Sequence, residues 1–372
     1  MRVVMFYHSL VSDWNHGNAH FLRGVCGALQ RRNHAITVYE PRDGWSRSNL
    51  VADHGEAALA RFARAYPTLE STPYSADLDL GAALDGADLV LVHEWNDPDL
   101  VRRIGEQRLA GGRFCLLFHD THHRSVSDAG GIAAFDLSGY DGVLAFGASI
   151  RNRYLDSGWA RRVWVWHEAA DLMRFRPRET SVAKEVDLVW IGNWGDGERE
   201  AEIEEFLIEP VRALGLSARV HGVRYPESVQ AELAAAGITY AGWLPNFDVP
   251  DVFARARVTI HIPRGPYTRA LPGIPTIRVF EAMACGVPLI SAPWKDVEGL
   301  FHAGRDYLLA EDGAAMRRHV RALLDDPVSA RALAQRGLAT IRARHTCDHR
   351  VDELLAIVDS LTHGDRRAGA AG

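Results

Sequence analysis

The sequence predicts a two-domain α/β protein in which each domain is built around a parallel β-sheet. The chain has 372 residues, of which 47% are hydrophobic, and this is enough for two cores. Short apolar runs rich in β-branched residues alternate with stretches of helical periodicity. Strands separated by helices need crossover connections, which give parallel sheets. Apolar runs such as LVLV and CLLF fit strands that helices cover on both faces.

Six strands are predicted in the first half of the chain. They are Val3–Phe6, Ala35–Tyr39, Leu89–His93, Phe114–Phe118, Gly142–Phe146 and Val163–Trp166. A helix is predicted over His20–Arg31, because its apolar residues recur along one helical face.

The second half repeats this alternation. Its predicted strands are Asp187–Ile191, Arg219–His221, Ile238–Tyr240, Val258–Ile262, Val287–Ser291 and Tyr307–Leu309. A helix from Glu198 to about Leu214 begins with acidic residues that complement the helix dipole, and Pro210 is expected to kink or break it. A last helix, about Asp348 to Leu361, lies beyond the final strand and is expected to pack back on one of the two domains, of which the first is the candidate.

Residues 167–184 hold few apolar side chains, so the domain boundary is placed there. The predicted parts are a first domain over residues 1–170, a linker over 171–184, a second domain over 185–345, and a helix with a disordered tail over 346–372.

Composition excludes several classes of protein. The net charge of −6 gives no basic field for nucleic acid. The first ten residues lack the features of a signal peptide, and no apolar run is long enough to span a membrane. Four scattered cysteines show no metal or redox spacing. A cytoplasmic protein is expected, and a peripheral membrane contact stays open.

A dinucleotide-dependent oxidoreductase is the first alternative for such a fold. Its glycine-rich fingerprint is missing, since the loop after the first strand has one glycine, Gly17. The second half opens with IGNWGDGERE, in which Gly192 begins a glycine cluster of unusual spacing. These glycines serve as turn residues or as ligand contacts equally well.

The segment from His261 to Pro293 carries the strongest chemical signal. A loop rich in Pro and Gly leads into a short helix, roughly Thr276 to Cys285, and Gly286 is placed to end it. The free N–H groups at the start of such a helix bind anions. Three arginines add charge for a phosphate: Arg264, Arg269 and Arg278.

Glu281 lies one turn into this helix among apolar residues. A carboxylate accepts hydrogen bonds from vicinal hydroxyls, such as those of a ribose. A diphosphate site beside a ribose-binding carboxylate describes a nucleoside diphosphate. The alternative is a buried core helix in which Glu281 pairs with Arg278 or another cation.

RVFEAMACGVPLIS resembles the donor-site helix of retaining glycosyltransferases of the GT-B fold. Nearly the whole chain resembles their CgeB-like (spore maturation protein) branch, through GNWGDGERE, WLPNFDVPDVFARARVTIHIPR, TIRVFEAMACG and HTCDHRVDELL. The resemblance implies two Rossmann-like domains facing across a cleft. It also implies transfer of a sugar from a nucleoside-diphosphate sugar to an acceptor glycan, lipid or small molecule.

By this resemblance Glu281 binds the ribose, and the loop from Gly192 to Arg199 faces the diphosphate. Relatives often carry an Arg–Lys pair in that loop, whereas here Asn193 follows Gly192 and Arg199 is the only nearby cation. Most relatives also carry a glutamate eight positions before the one equivalent to Glu281, where this chain has Gly273. Both departures put the usual sugar and phosphate contacts in doubt. Trp243 is a candidate to stack on the base or simply to pack in the core.

Polar groups follow two strands of the first domain, where ligands bind in open α/β sheets. In similar glycosyltransferases a histidine here touches the transferred sugar; His119 is favoured and His93 is second. An inverting enzyme needs a base, for which Asp120 or His119 is suited. The loop Asp13–His20 after the first strand, which contains Gly17, is expected to close over the diphosphate or the acceptor.

The resemblance implies retention, with the departing phosphate assisting the acceptor. Arginines and the helix start at Thr276 stabilise the leaving group, so neither a metal nor a further cofactor is predicted. Two alternatives stay open: a nucleotide-sugar epimerase, and a catalytically silent nucleotide-binding scaffold.

Overall fold

The computed structural model describes residues 1–178, 182–195 and 197–369, with side chains up to residue 362. It divides into two compact units. Unit 1 comprises Met1–Glu168 and Cys347–Gly372, and unit 2 comprises Ala169–Thr346. Of the predicted linker, residues 179–181 lie outside the described part, and Phe175 is fully buried rather than exposed.

Unit 1 contains a seven-stranded parallel sheet in the order β3-β2-β1-β4-β5-β6-β7. Its strands are β1 (Arg2–Phe6), β2 (Ala35–Pro41), β3 (Ser71–Tyr74), β4 (Leu89–His93), β5 (Cys115–Asp120), β6 (Gly142–Ala145) and β7 (Val163–Val165). Strand β3 was not predicted, because STPY is short, polar and contains a proline. Proline is tolerated there because β3 is an edge strand.

Eight helices connect these strands. They are α1 (Ala19–Arg31), α2 (Trp45–His54), α3 (Ala57–Ala65), α4 (Leu80–Leu84), α5 (Pro98–Leu109), α6 (Arg124–Ser127), α7 (Ala129–Ala133) and α8 (Ala148–Asp156). Helix α1 buries the apolar face that its periodicity predicts, including Phe21 and Val25.

Unit 2 contains a six-stranded parallel sheet in the order β10-β9-β8-β11-β12-β13. Its strands are β8 (Val186–Ile191), β9 (Ala218–His221), β10 (Ile238–Tyr240), β11 (Ala256–His261), β12 (Leu289–Ser291) and β13 (Leu308–Leu309). Strand β12 begins after the predicted start at Val287, because Pro288 has no N–H to donate to a neighbouring strand.

The helices of unit 2 are α9 (Glu200–Ile203), α10 (Glu209–Leu214), α11 (Glu227–Ala235), α12 (Val249–Arg255), α13 (Gly265–Ala270), α14 (Thr276–Ala284), α15 (Gly313–Asp325) and α16 (Pro327–Arg344). They are followed by a long C-terminal helix, α17 (Cys347–Gly369), which belongs to unit 1. A 3₁₀ turn, Asn246–Asp248, precedes α12.

Pro210 does not break its helix, contrary to one of the two outcomes expected for it. A π-helical segment, Glu204–Ile208, joins α9 to α10, so the chain stays helical from Glu200 to Leu214. The wider π turn relieves the clash between the proline ring and the preceding turn of backbone.

Helix α17 packs against α1, which confirms that the C-terminal helix returns to the first domain. Asp348 accepts hydrogen bonds from Arg31 at 2.8 Å and from Arg32 at 2.7 Å. The indole N–H of Trp166 donates to the backbone oxygen of Arg350 at 2.8 Å. The helix runs beyond its predicted end at Leu361, and residues 370–372 of the predicted tail lie outside the described residues.

The predicted fold class, two parallel-sheet α/β units, is confirmed. None of the described helices combines the length and apolarity that crossing a membrane requires.

Candidate functional site

The carboxyl edge of the unit 2 sheet gathers most of the predicted donor-site residues. Strand order reverses between β8 and β11, and ligands of open α/β sheets bind at such a switch point. Gly192 and Asn193 follow β8, and α14 carries Thr276, Arg278 and Glu281 after β11.

The loop after β8 is tied to the loop after β9. The hydroxyl of Tyr225 donates to the backbone oxygen of Gly192 at 2.8 Å, and the side-chain oxygen of Asn193 accepts from the N–H of Val223 at 3.0 Å. A Cβ on Gly222 would collide with the Gly192 carbonyl, so glycine is required at that position. Gly192 and Asn193 are therefore held in a fixed position beside β9.

Arg199 is buried and hydrogen-bonded to two backbone segments. Its guanidinium donates to the backbone oxygens of Ile262, at 2.8 Å, and of Asn193. It also lies 5.2 Å from the ring centre of Trp190. Burial, followed by the charge of Arg264, lowers the pKa of Arg199 to about 9. The residue predicted to face the diphosphate thus joins the loop after β8 to the end of β11.

The other predicted arginines differ in their surroundings. Arg264 forms an ion pair of 2.9 Å with Glu198, and Arg269 is exposed on α13. Arg278 is half-buried and pairs with Glu281 on the same helix. Arg278 is therefore the predicted cation that lies next to the predicted ribose ligand.

The N-terminus of α14 has an unusual backbone. No side chain caps it at Pro275, and Thr276 has a φ of +52°. A positive φ is an outlier for a β-branched residue, and such strain is concentrated at functional sites. The first N–H groups of a helix lack intrahelical partners and can bind an anion.

His261 holds Thr276 in this conformation. The hydroxyl of Ser291 donates to the backbone oxygen of Ala292 at 2.8 Å, so it accepts from Nδ1 of His261 at 2.9 Å. Nε2 of His261 then accepts from the hydroxyl of Thr276 at 3.3 Å. Burial lowers the pKa of His261 to about 3, so the imidazole stays neutral at physiological pH.

Glu281 is buried and hydrogen-bonded. Its side chain has no exposed surface; Oε1 accepts from the amide of Asn246 at 2.6 Å, and Oε2 pairs with Arg278. The predicted pairing with Arg278 is present in this structure.

His221, at the end of β9, was not singled out by the sequence. It is nine-tenths buried, and neither ring nitrogen has a hydrogen-bond partner among the described residues. Burial, followed by Arg219 and Arg278, lowers its pKa to about 4. The N–H of Gly222, the next residue, donates to the backbone oxygen of Gly242 at 2.9 Å. This bond joins the end of β9 to the turn that contains the half-buried Trp243.

In unit 1, the predicted histidine His119 lies inside the core. It has no exposed surface and contacts the rings of Phe21 and Trp166 at 6.0 and 4.8 Å between centres. Its Nδ1 is 2.6 Å from the hydroxyl of Tyr7. Burial lowers the pKa of His119 to about 3.

His93 is also fully buried at the end of β4. Its Nδ1 accepts from the N–H of Trp95 at 3.3 Å, so Nε2 carries the proton and donates to Thr121 at 2.9 Å. The amide of Asn18 donates to the same hydroxyl at 2.7 Å. His93 therefore orders the loops after β1 and β5.

Asp120 forms a buried carboxyl pair with Glu94. Burial raises the pKa of both carboxyls, and the charge of Asp120 raises that of Glu94 further, well above its usual range. Glu94 is therefore the member of the pair that holds a proton. Asp120 also accepts from the hydroxyl of Tyr154 at 2.9 Å and from the N–H of His122 at 3.0 Å.

Other side chains reach the surface at this edge of unit 1. His8, His16 and His122 are partly exposed, Trp95 is 40% exposed, and Gly17 lies half-buried in the same loop as His16. The sequence did not single out His8, and it included His16 only as part of the loop Asp13–His20. The predicted catalytic residues therefore lie beneath a different set of rings.

The described residues contain no group of three or more His, Cys, Asp or Glu side chains arranged to hold a metal ion. A cavity of about 570 Å³ lies at the opposite, amino edge of the unit 1 sheet, where Asp141 and Arg162 are among its lining residues. None of the predicted site residues lines it.

Comparison with known proteins gives one family match. Residues 199–356 match the family described as glycosyl transferase-like, and this segment contains the unit 2 edge from Arg199 onwards. No curated protein matches the chain.

Several solved structures resemble the chain over almost its full length. Sucrose-phosphate synthase (tll1590) from Thermosynechococcus elongatus is 14% identical, with a TM-score of 0.68 over 98% of this chain and 100% of that one. Anabaena Alr3699/HepE in complex with UDP and glucose is 14% identical, with a TM-score of 0.65 over 97% and 100%. An α-glucosyltransferase in complex with UDP and a 13-mer DNA is 12% identical, with a TM-score of 0.68 over 96% and 99%. These neighbours are GT-B proteins, so the predicted GT-B fold is confirmed.

Proposed function

We propose that the chain is a glycosyltransferase that takes its sugar from a UDP-sugar. The observation that carries this proposal is the Glu281–Arg278 pair beside the uncapped start of α14. The glycosyl transferase-like match over residues 199–356 supports it. The UDP and UDP-glucose complexes of the Anabaena neighbour support a uridine nucleotide.

The donor binds along the carboxyl edge of unit 2. The guanidinium of Arg278 turns from Glu281 towards the diphosphate, which also lies against the first N–H groups of α14. The freed carboxylate of Glu281 accepts the two ribose hydroxyls while Asn246 keeps it oriented. The base lies over the turn that contains Trp243. There it can hydrogen-bond to the ring nitrogens of His221, which have no partner among the described residues.

The reaction breaks the bond between the anomeric carbon and the phosphate oxygen and forms one to an acceptor oxygen. Negative charge develops on the departing diphosphate, and Arg278 and the α14 N-terminus stabilise it. We propose that the phosphate oxygen takes the acceptor proton, with retention of configuration. With this charge stabilisation supplied by the chain, the proposal includes neither a metal nor a further cofactor.

The acceptor is proposed to bind at the carboxyl edge of unit 1. Of the predicted catalytic residues, His93 and Asp120 orient the loops that carry Trp95 and His122. His119 supports this edge of the sheet from the core, through its hydrogen bond with Tyr7. The finer assignments, to the CgeB-like branch and to the cytoplasm, are also proposals. The comparisons favour neither an epimerase nor a silent scaffold.

Release of UDP from UDP-glucose tests the proposal. The wild-type chain is expected to release UDP slowly, by transfer to water, with and without EDTA. Arg278→Ala is expected to lower the rate by about 10²-fold or more, because one donor to a developing oxyanion is worth that much. The exposed Arg212→Ala serves as the matched control. Equal rates in the two variants would contradict the assigned role of Arg278.

A further inference from the structure

The cavity of about 570 Å³ at the amino edge of the unit 1 sheet lies opposite the polar residues that end the strands of that sheet. Its lining residues come from two segments. Residues 133–143 lead from α7 into β6, and residues 158–162 lead from α8 into β7. Sites for small molecules have volumes of about 300–1,000 Å³, so the cavity has the size of a ligand site. None of the residues assigned to the donor or to the reaction lines it.

Aromatic side chains form much of the cavity wall and are fixed from outside it. The hydroxyl of Tyr140 donates to the backbone oxygen of Val101 in α5 at 2.9 Å. The N–H of Trp159 donates to the backbone oxygen of Tyr154 in α8 at 3.0 Å, and the two rings pack edge-on at 5.4 Å between centres. Phe135, a third lining residue, is buried. Walls that are held in this way keep their shape without a ligand, which reduces the entropic cost of binding one.

Arg161 and Arg162 supply unpaired positive charge at the cavity. Both line it and both are exposed. The N–H of Val143 donates to the backbone oxygen of Arg162 at 3.0 Å, which fixes this segment to β6. Neither guanidinium has a hydrogen-bond or ion-pair partner among the residues that the structure describes. A guanidinium presents a planar set of N–H donors that matches the oxygens of a phosphate.

The two carboxylates that line the cavity are engaged by the chain itself. Asp141 accepts from the N–H of Leu116 at 2.8 Å and pairs with Arg108 at 3.5 Å. Asp136 accepts from the N–H of Ser138 at 3.0 Å, and the hydroxyl and N–H of Ser138 lower the pKa of Asp136. The cations of the cavity are therefore available to a ligand, whereas its carboxylates already have partners.

The charges that flank the lining segments balance each other. Arg113, before β5, and Asp156, at the end of α8, are both exposed at this edge of the sheet. The last carbonyls of α8, at residues 153–155, accept from the N–H groups of residues 157–159. These bonds satisfy carbonyls that would otherwise present the negative end of the helix dipole at the cavity.

We propose that this cavity binds a small organic phosphate with an aromatic body. The phosphate accepts hydrogen bonds from Arg161 and Arg162, and the aromatic ring packs against Trp159 and Tyr140. The inference goes beyond the proposed function and does not depend on it, because the cavity shares no residue with the donor site of unit 2.

Calorimetric titration of the full-length chain with 1-naphthyl phosphate, in the presence of excess UDP, tests the inference. The wild type is expected to bind this probe. Inorganic phosphate, which lacks the ring, and 1-naphthol, which lacks the phosphate, are each expected to bind about tenfold more weakly. Arg161→Ala and Arg162→Ala should each weaken binding of the probe about tenfold, and the double variant further, because each loses charged hydrogen bonds. Arg64→Ala, an exposed arginine on α3 of the same unit, is the matched control and should bind as the wild type does.

Thermal unfolding establishes that each variant is folded. No binding of 1-naphthyl phosphate by the wild type, or binding that survives in the folded double variant, would overturn the inference. Equal affinity for inorganic phosphate would also overturn it, since the aromatic wall then contributes nothing. Arg278→Ala should bind the probe normally, and a loss in that variant would place the probe in unit 2 instead. Failure of the wild type to bind UDP would contradict the proposed function and leave this inference unchanged.

Discussion

Oε1 of Glu298 lies 2.7 Å from the position that a Cβ on Gly273 would occupy. Gly273 has a φ of +95°, and its N–H donates to the backbone oxygen of Lys295 at 2.7 Å, which joins the two loops. The glycosyltransferases that the α14 segment resembles carry a glutamate at the position of Gly273. In this chain the loop after β12 places the carboxylate of Glu298 beside Gly273.

Glu298→Gln is therefore expected to impair sugar transfer without impairing nucleotide binding. Losing a charged hydrogen bond to a sugar hydroxyl costs about 1.5–3 kcal/mol, so kcat/KM for UDP-glucose should fall about 10- to 100-fold. The affinity for UDP, which lacks the transferred glucose, should not change. Exposed Glu311→Gln is the control. A parallel loss of UDP affinity would show that Glu298 supports the loop rather than the sugar.

Thr276→Val should destabilise unit 2. The substitution removes the hydroxyl that donates to Nε2 of His261 and leaves that buried nitrogen without a partner, at a cost of about 1–3 kcal/mol. Urea unfolding measures the change, with the exposed strand residue Thr239→Val as the control. Thr276→Ser, which keeps the hydroxyl, should unfold close to the wild type. Equal stability of the Val and Ser variants would contradict the role assigned to His261.

The protein is expected to lose stability on mild acidification. The pKa values of His119 and His261 are about 3 and that of His221 is about 4, all below the unfolded value of about 6.5. Below pH 6.5 the unfolded chain therefore binds more protons than the folded chain. The free energy of unfolding consequently decreases as the pH is lowered. Each histidine contributes up to about 1.4 kcal/mol per pH unit.

Thermal unfolding between pH 7.5 and 5 measures this dependence. His221→Gln should flatten the curve, because Gln fills similar space without titrating. An unchanged slope in this variant would mean that His221 titrates normally in the folded chain.

Glu94 is expected to affect the pH dependence of folding stability in the sense opposite to that of the buried histidines, and Glu94→Gln tests this. The pKa of Glu94 is raised, so the folded chain holds a proton that the unfolded chain has released at pH values above about 4.5. The contribution of Glu94 to the free energy of unfolding therefore decreases as the pH rises. Gln keeps a donor towards Asp120 but does not titrate, so Glu94→Gln should gain stability relative to the wild type as the pH increases from 6 to 8. Thermal unfolding at the two pH values checks this, and a relative loss would contradict the shared proton.

The sequence predicted most strands to within two residues, because buried parallel strands are continuous apolar runs. It missed β3, whose proline and polar residues suit only an edge strand. It identified the α14 segment through Glu281 and its arginines, since an acidic residue in an apolar helix is a rare pattern. It did not identify His221, His261 or Glu298, because these contacts join residues that are distant in the chain.

Burial was the property least accessible from the sequence. His93, His119 and Asp120 end strands, as polar ligand-binding residues do, yet tertiary packing covers all three. The residues that reach the surface at that edge, such as His16 and Trp45, come from irregular loops and helix starts whose periodicity carries no information.

Calorimetric titration with UDP, GDP, ADP and TDP tests most directly whether the unit 2 edge is a nucleotide site. The account predicts micromolar binding of UDP in preference to the others. It predicts a loss of about 1–3 kcal/mol in Glu281→Ala, since the ribose hydroxyls lose a charged partner. Glu281→Gln, which keeps the shape of the side chain, should lose affinity while thermal unfolding confirms that it is folded. Binding of none of the four nucleotides, or equal UDP affinity in the wild type and both folded Glu281 variants, would contradict the account.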